Sequence, residues 1–129
     1  MKKLVAIIVL VCSFISCQAQ QKEQNIKVVP PAEFAQKMTK TKGQIIDVRT
    51  PKEYKSGYIK EAQNLHIYDK DFEQRVDKLQ KDKPVYVYCK AGSRSAEAVE
   101  ILKAKGFTDI IELEGGMDAW NEAGKPVEQ

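Results

Sequence analysis

Cys89 ends an apolar run, Pro84-Val85-Tyr86-Val87-Tyr88, and Lys90-Ala91-Gly92-Ser93-Arg94-Ser95 follows it. A strand that ends in a thiol and turns directly into a helix sets the sulfur among backbone N–H groups. Those groups curl into the helix N-terminus as an anion-binding nest. Gly92 permits the tight curl, and Lys90 and Arg94 add positive charge. Each feature favours a thiolate over a thiol, so the spacing predicts a nucleophilic Cys89 that needs no general base. The bland alternative is a strand-to-helix connection around a half-buried cysteine that acts only as a small hydrophobe. His66 is the single histidine. Nothing in the local sequence ties it to Cys89, and it reads as structural or exposed. One histidine and one thiol in the body of the chain make no ligand cluster, so no metal is expected.

The flanking elements must hold that loop. Residues 26–29 read as a short strand, and Pro30-Pro31 opens a helix with Phe34 and Met38 four apart. Residues 44–48 are an apolar, β-branched strand. Thr50-Pro51-Lys52-Glu53 has the form of a capping box for a short helix that Gly57 stops. Residues 62–67 read as a short strand. A helix begins at Asp69 with Phe72, Val76 and Leu79 on one face. After the Cys89 strand, residues 93–105 form a helix with Ala96, Val99 and Leu102 or Lys103 inward. Residues 109–113 are a strand, and Gly115-Gly116 starts a last helix anchored in the core by Met117 and Trp120. Strands alternating with helices predict an α/β domain with a mainly parallel sheet. Ligands of such sheets bind outside the carboxyl ends of the strands, where Cys89 falls. Asp47 and Arg49 end a strand on the same edge. Asp47 is a candidate to orient the Cys89 loop through its N–H groups, and Arg49 is expected to pair with Glu53.

At 129 residues the chain is one domain's worth. The 21 basic and 18 acidic residues nearly cancel, which gives no electrostatic footprint for nucleic acid. The front end is different in kind. Lys2-Lys3 precedes an apolar run over residues 4–15, broken only by Ser13. That run is shorter than the roughly 20 residues a transmembrane helix needs, and it suits an export signal. Its close, Phe14-Ile15-Ser16-Cys17, resembles a bacterial lipoprotein signal. The resemblance implies a signal peptide over residues 1–16, lipidation of Cys17 and a polar tether over residues 17–25. It also implies an exported protein, lipid-anchored to the bacterial envelope and facing the periplasm or the outside. Cys12 leaves with the signal, so Cys89 becomes the only free thiol of the mature chain.

Four segments resemble the single-domain rhodanese, or thiosulfate sulfurtransferase, family across residues 26–127. Cys89-Lys90-Ala91-Gly92-Ser93-Arg94-Ser95 is similar to its Cys-x-x-Gly-x-Arg-Ser loop. Ile45-Ile46-Asp47-Val48-Arg49, with Glu53-Tyr54 and Gly57 behind it, follows its spacing. Residues 57–65 resemble its Gly-His-Ile-x-Gly-Ala-x-Asn-Ile, with Tyr58 in place of His and Glu61 in place of Gly. Leu113-Glu114-Gly115-Gly116-Met117-Asp118-Ala119-Trp120 resembles its closing Gly-Gly-x-x-x-Trp. The resemblance implies a five-stranded parallel sheet flanked by helices on both faces. Cys89 is then the catalytic residue, taking a sulfane sulfur as a persulfide and passing it to cyanide or a thiol. Lys90, Ala91, Gly92, Ser93, Arg94 and Ser95 bind the donor, with Asp47 and Arg49 supporting. The partners implied are a small-molecule donor and acceptor, or a protein thiol, acting on a monomer without a cofactor. The cationic rim suits thiosulfate better than mercaptopyruvate. Phosphatases on this fold place five residues between Cys and Arg where this chain has four, a ring better sized for a terminal sulfur. The alternatives are a non-enzymatic persulfide carrier and a phosphatase or arsenate reductase on the same fold.

Overall fold

Ten elements alternate along the chain in a computed structural model that describes residues 23–129. The signal segment, Cys17 and most of the tether lie outside the described residues. The elements are β1 (Asn25–Val29), α1 (Pro31–Lys40), β2 (Gln44–Asp47), α2 (Pro51–Lys55) and β3 (Gln63–Asn64). Then come α3 (Phe72–Val76), β4 (Val85–Tyr88), α4 (Ser93–Ala104), β5 (Asp109–Leu113) and α5 (Gly116–Glu122). The strands form one five-stranded sheet in the order β1-β5-β4-β2-β3. Every pairing is parallel. The most apolar strand, β4, lies at the centre and is buried throughout.

Alternation along β4 divides the core. Val85, Val87 and Cys89 face α3 and α4, together with Phe72, Val76, Ala98 and Leu102. Tyr86 and Tyr88 face the other way, among Phe34 of α1 and Met117 and Trp120 of α5. Helices therefore cover both faces, as parallel strands require. Phe34 sets its ring edge-on to Tyr86 and Trp120.

The short elements depart from the sequence reading for local reasons. The strand expected over residues 62–67 pairs regularly only at Gln63 and Asn64. Beyond Asn64 single backbone bonds continue, from the Leu65 N–H to the Asp47 carbonyl at 2.9 Å and from the Ile67 N–H to the Val48 carbonyl at 3.2 Å, while the Asn64 side chain donates to the carbonyls of Asp47 and Arg49. The helix expected from Asp69 is the single stretch Phe72–Val76, because Lys78 and Leu79 bond back three residues rather than four. On α4 the buried stripe is Ser95, Ala98, Val99 and Leu102, and Ala96 is exposed. The inward face runs at i, i+3, i+4 and i+7 from Ser95, so Val99 and Leu102 point inward as expected and Ser95 and Ala98 take the place given to Ala96. The end of the chain returns to the fold. Tyr58 and Glu128 form an antiparallel bridge, and the Trp120 indole donates to the Pro126 carbonyl at 2.9 Å.

Candidate active site

Cys89 follows the carboxyl end of β4, between the ends of β2 and β5, and is 1% exposed. Two elements shape its loop. Gly92 caps α4 in the left-handed region at φ +117°, a conformation glycine takes without penalty. Its N–H donates to Cys89 Sγ at 3.0 Å. From the other side α5 begins against the loop. The Met117 N–H donates to the Cys89 carbonyl at 2.9 Å and the Asp118 N–H to the Lys90 carbonyl at 3.0 Å. A trans peptide points its carbonyl and N–H in opposite directions. Committing both carbonyls to α5 therefore turns the following N–H groups away from it, into the loop. Gly116 makes this approach feasible: its φ is +58°, and a Cβ there would collide with the Cys89 carbonyl and the Lys90 backbone.

The cations of the loop are both engaged. Lys90, exposed, meets Asp118 at 2.8 Å. Arg94 forks onto Glu53 of α2, with Nη1 at 2.7 Å from Oε1 and Nη2 at 2.9 Å from Oε2. Hydrogen bonding from Arg94 holds the Glu53 carboxyl down at about 2, against burial that raises it. Glu53 also closes the capping box with Thr50, as the sequence predicts. It therefore ties α2 to the first turn of α4. Ala91 and Ser93 are exposed on the loop, and Ser95 is buried beneath it.

Asp47 and Arg49 do something other than expected. The Arg49 guanidinium lies on the Asp47 carboxylate, with Nη2 at 2.6 Å from Oδ2, and both residues are buried. Arg49 Nη2 also donates to the Gly57 carbonyl at 2.7 Å, and the guanidinium stands 5.7 Å over the Tyr88 ring. The expected Arg49–Glu53 pair does not form, because Asp47 two residues earlier on the same edge is nearer and already buried. The Asp47 carboxylate accepts from Arg49 rather than from the Cys89 loop. The pair braces the end of β2 beneath α2. His66 turns to Asp69 at 3.1 Å.

Glu112, which the sequence reading passes over, lies beneath the loop. It is on β5, 6% exposed, level with Val87 of β4. Its Oε1 is 2.8 Å from Ser95 Oγ, and Ser95 Oγ is 3.3 Å from Cys89 Sγ. The clue in the sequence is an acid inside Ile110-Ile111-Glu112-Leu113, at the position that alternation assigns to the same face as Ile110.

A thiol that accepts the Gly92 N–H at the start of a helix can hold a sulfur anion and present it as a nucleophile. Comparison with known proteins agrees with that chemistry. Residues 30–123 match the family model described as the rhodanese-like domain. The chain is 40% identical over 79 residues to the uncharacterized protein YqhL of Bacillus subtilis, which covers 61% of each chain. It thus spans less than two thirds of that relative. It is 30% identical over 91 residues to the thiosulfate sulfurtransferase GlpE of Vibrio cholerae, covering 70% of this chain and 84% of that protein. The crystal structure of a rhodanese-related protein from Thermoplasma volcanium is similar at a TM-score of 0.70 and 32% identity. That match covers 79% of this chain and 97% of the other.

Proposed function

This chain belongs to the rhodanese-like domain family, and on that footing we propose that it is a sulfurtransferase working through a Cys89 persulfide. In the loading step the Cys89 thiolate attacks the outer sulfur of thiosulfate. The S–S bond of the donor breaks and sulfite leaves with its electron pair. In the unloading step cyanide or a thiol attacks the outer sulfur of the persulfide, and Cys89 leaves as the thiolate. The two steps return the protein to its starting state with no cofactor.

The observation that carries this reading is the Gly92 N–H on Cys89 Sγ at 3.0 Å, in a loop whose carbonyls are bound away by α5. Four residues between Cys89 and Arg94 leave a small ring, which fits a terminal sulfur better than a phosphate. Thiosulfate is taken as the donor from the name of the Vibrio cholerae relative. The cationic rim lends that choice little support, because Lys90 and Arg94 are each neutralised by a carboxylate. The acceptor is a small thiophile or a protein thiol, and the protein acts as a monomer. We also propose that the lipoprotein-type segment anchors it to the bacterial envelope through Cys17.

Intact mass spectrometry after thiosulfate treatment tests the function. The expected result is a gain of one sulfur, lost on adding cyanide and absent from Cys89→Ser. No gain from thiosulfate or from a persulfide donor, together with phosphate release from an aryl phosphate, would move the reading to a phosphatase.

A further inference from the structure

Ser95 has one hydroxyl hydrogen and three neighbours that could take it. Cys89 Sγ lies at 3.3 Å, Glu112 Oε1 at 2.8 Å and the Gly92 carbonyl at 3.1 Å. The Gly92 carbonyl accepts the Ala96 N–H and has a second lone pair for the hydroxyl hydrogen. A hydrogen turned there would reach neither the sulfur nor the carboxylate, so the choice that matters to Cys89 is between those two. Two arrangements satisfy both contacts. In one, the Cys89 thiol donates to Ser95 Oγ and the Ser95 hydroxyl donates to an ionised Glu112. In the other, a protonated Glu112 donates to Ser95 Oγ and the hydroxyl donates to the Cys89 thiolate. Each arrangement holds one negative charge. With both ends ionised, the single hydroxyl can serve only one of them.

We propose that Glu112 is a positioning residue that shares one proton with Cys89 through the Ser95 hydroxyl, so that the thiolate forms by moving that proton inward. The proposal rests on Cys89 being the nucleophile of the proposed function. The step balances without a co-reactant. The thiol proton passes to Ser95 Oγ, the Ser95 proton passes to Glu112 Oε1, and the S–H electron pair stays on sulfur. The Gly92 N–H favours the thiolate arrangement. Burial is the larger influence on Glu112 and raises its pKa, which the Ser95 hydrogen bond opposes. A carboxyl so placed accepts a proton readily.

The other charged groups near the wire are committed elsewhere. Arg94 of α4 is forked onto Glu53 of α2 while still acting electrostatically on Cys89, and Lys90 is held by Asp118 of α5. In the segment after β3, His66 turns to Asp69 and Tyr68 to Glu97. The register neighbours of Glu112 are Val87 on β4 and Val28 on β1. Among the described residues no cation pairs with Glu112.

Two groups sharing a proton titrate as a pair, in two macroscopic steps. The test is the rate of Cys89 alkylation by iodoacetamide across acid to alkaline pH. It is made on the full chain, and the label is located by peptide mass spectrometry because Cys12 and Cys17 are also present. The unaltered protein should show two inflections, and a single inflection would overturn the proposal. Glu112→Gln keeps the side-chain shape and can donate to Ser95 but cannot ionise. It should give one inflection at lower pH and roughly tenfold faster alkylation on the acidic side, the size of one pK unit of coupling. An unchanged profile would sink the idea. In a Ser95→Ala background the same substitution should change the rate less than about threefold. An undiminished effect there would mean that the charge acts through space and not through Ser95. Alkylation requires no sulfur transfer, so these outcomes are read separately from the persulfide mass test.

Discussion

Glu53 serves two partners with one carboxylate. Its Oε1 accepts from the Thr50 hydroxyl at 3.1 Å and from Arg94 Nη1 at 2.7 Å. Arg94→Ala would leave this acid partly buried and unpaired. The expected cost is on the order of 1 kcal/mol, given the partial exposure of both side chains. In a domain of this size that is a loss of about 4–8 °C in Tm. The Glu53 carboxyl is held at about 2, below the usual 4.5. The stability it contributes is therefore complete above about pH 5 and lost as pH falls from about 4.5 towards 2. The difference between wild type and Arg94→Ala should shrink over that window in urea titrations. A structural pairing also predicts equal fractional losses of activity with thiosulfate and with an uncharged persulfide donor. A selective loss with thiosulfate would show that the donor takes Arg94 from Glu53. Glu112 has the opposite sign. Its raised pKa means that charging it works against folding as pH rises above the unfolded value. Glu112→Gln should therefore gain stability over wild type with rising pH, and the same melts would show it. Cys89→Ser should keep the fold, since a hydroxyl replaces the thiol with little change of shape, and should carry no sulfur in the mass test.

At the scale of elements, the α5 start is a backbone device. Gly116 at φ +58° and Gly124 at φ +69° share a left-handed conformation, but only Gly116 has no room for a Cβ. Either glycine-to-alanine change should cost about 1–2 kcal/mol from the dihedral. Gly116→Ala should cost a further 1–3 kcal/mol or so from overpacking against the Cys89 carbonyl, and it should lose sulfur loading. Gly124→Ala should keep loading. Equal costs and intact loading in both would show that the α5 approach does not shape the loop. Much of this scale is legible from residues alone. Thr50, Pro51 and Glu53 announce the α2 cap, and Cys89 with Gly92 announces a strand running into a helix. These signals are local, carried by residues a few positions apart. The partners of Arg94 and Ser95 were not legible in that way. Glu53 is 41 residues from Arg94, and Glu112 is 17 from Ser95. Only the sheet order brings them together. The Ala96 misreading has a different origin: alanines at 96 and 98 weigh alike as apolar residues, and the phase of a helix with few large side chains is set by what it packs on.

For the whole molecule, an α/β domain is proposed to sit on a lipid anchor. Single acyl chains bind membranes marginally, so stable attachment needs two or more at Cys17. Wild type should partition to membranes, and Cys17→Ala should not. A processed, membrane-bound Cys17→Ala would refute the anchor. The sheet order has a consequence in time. β1 pairs only with β5, Asn25 against Asp109, so the first strand made waits for the last. Long-range closure of this kind slows folding. During synthesis β1 has no partner, and the Cys89 carbonyl has no Met117 N–H to bind, until nearly the whole chain has emerged. A nascent chain cut near residue 105 would hold the complete Cys89 loop sequence yet lack the helix that shapes it. The thiol is thus left outside its loop until the last strand and helix of the chain are in place, so the C-terminal residues complete the surroundings of Cys89.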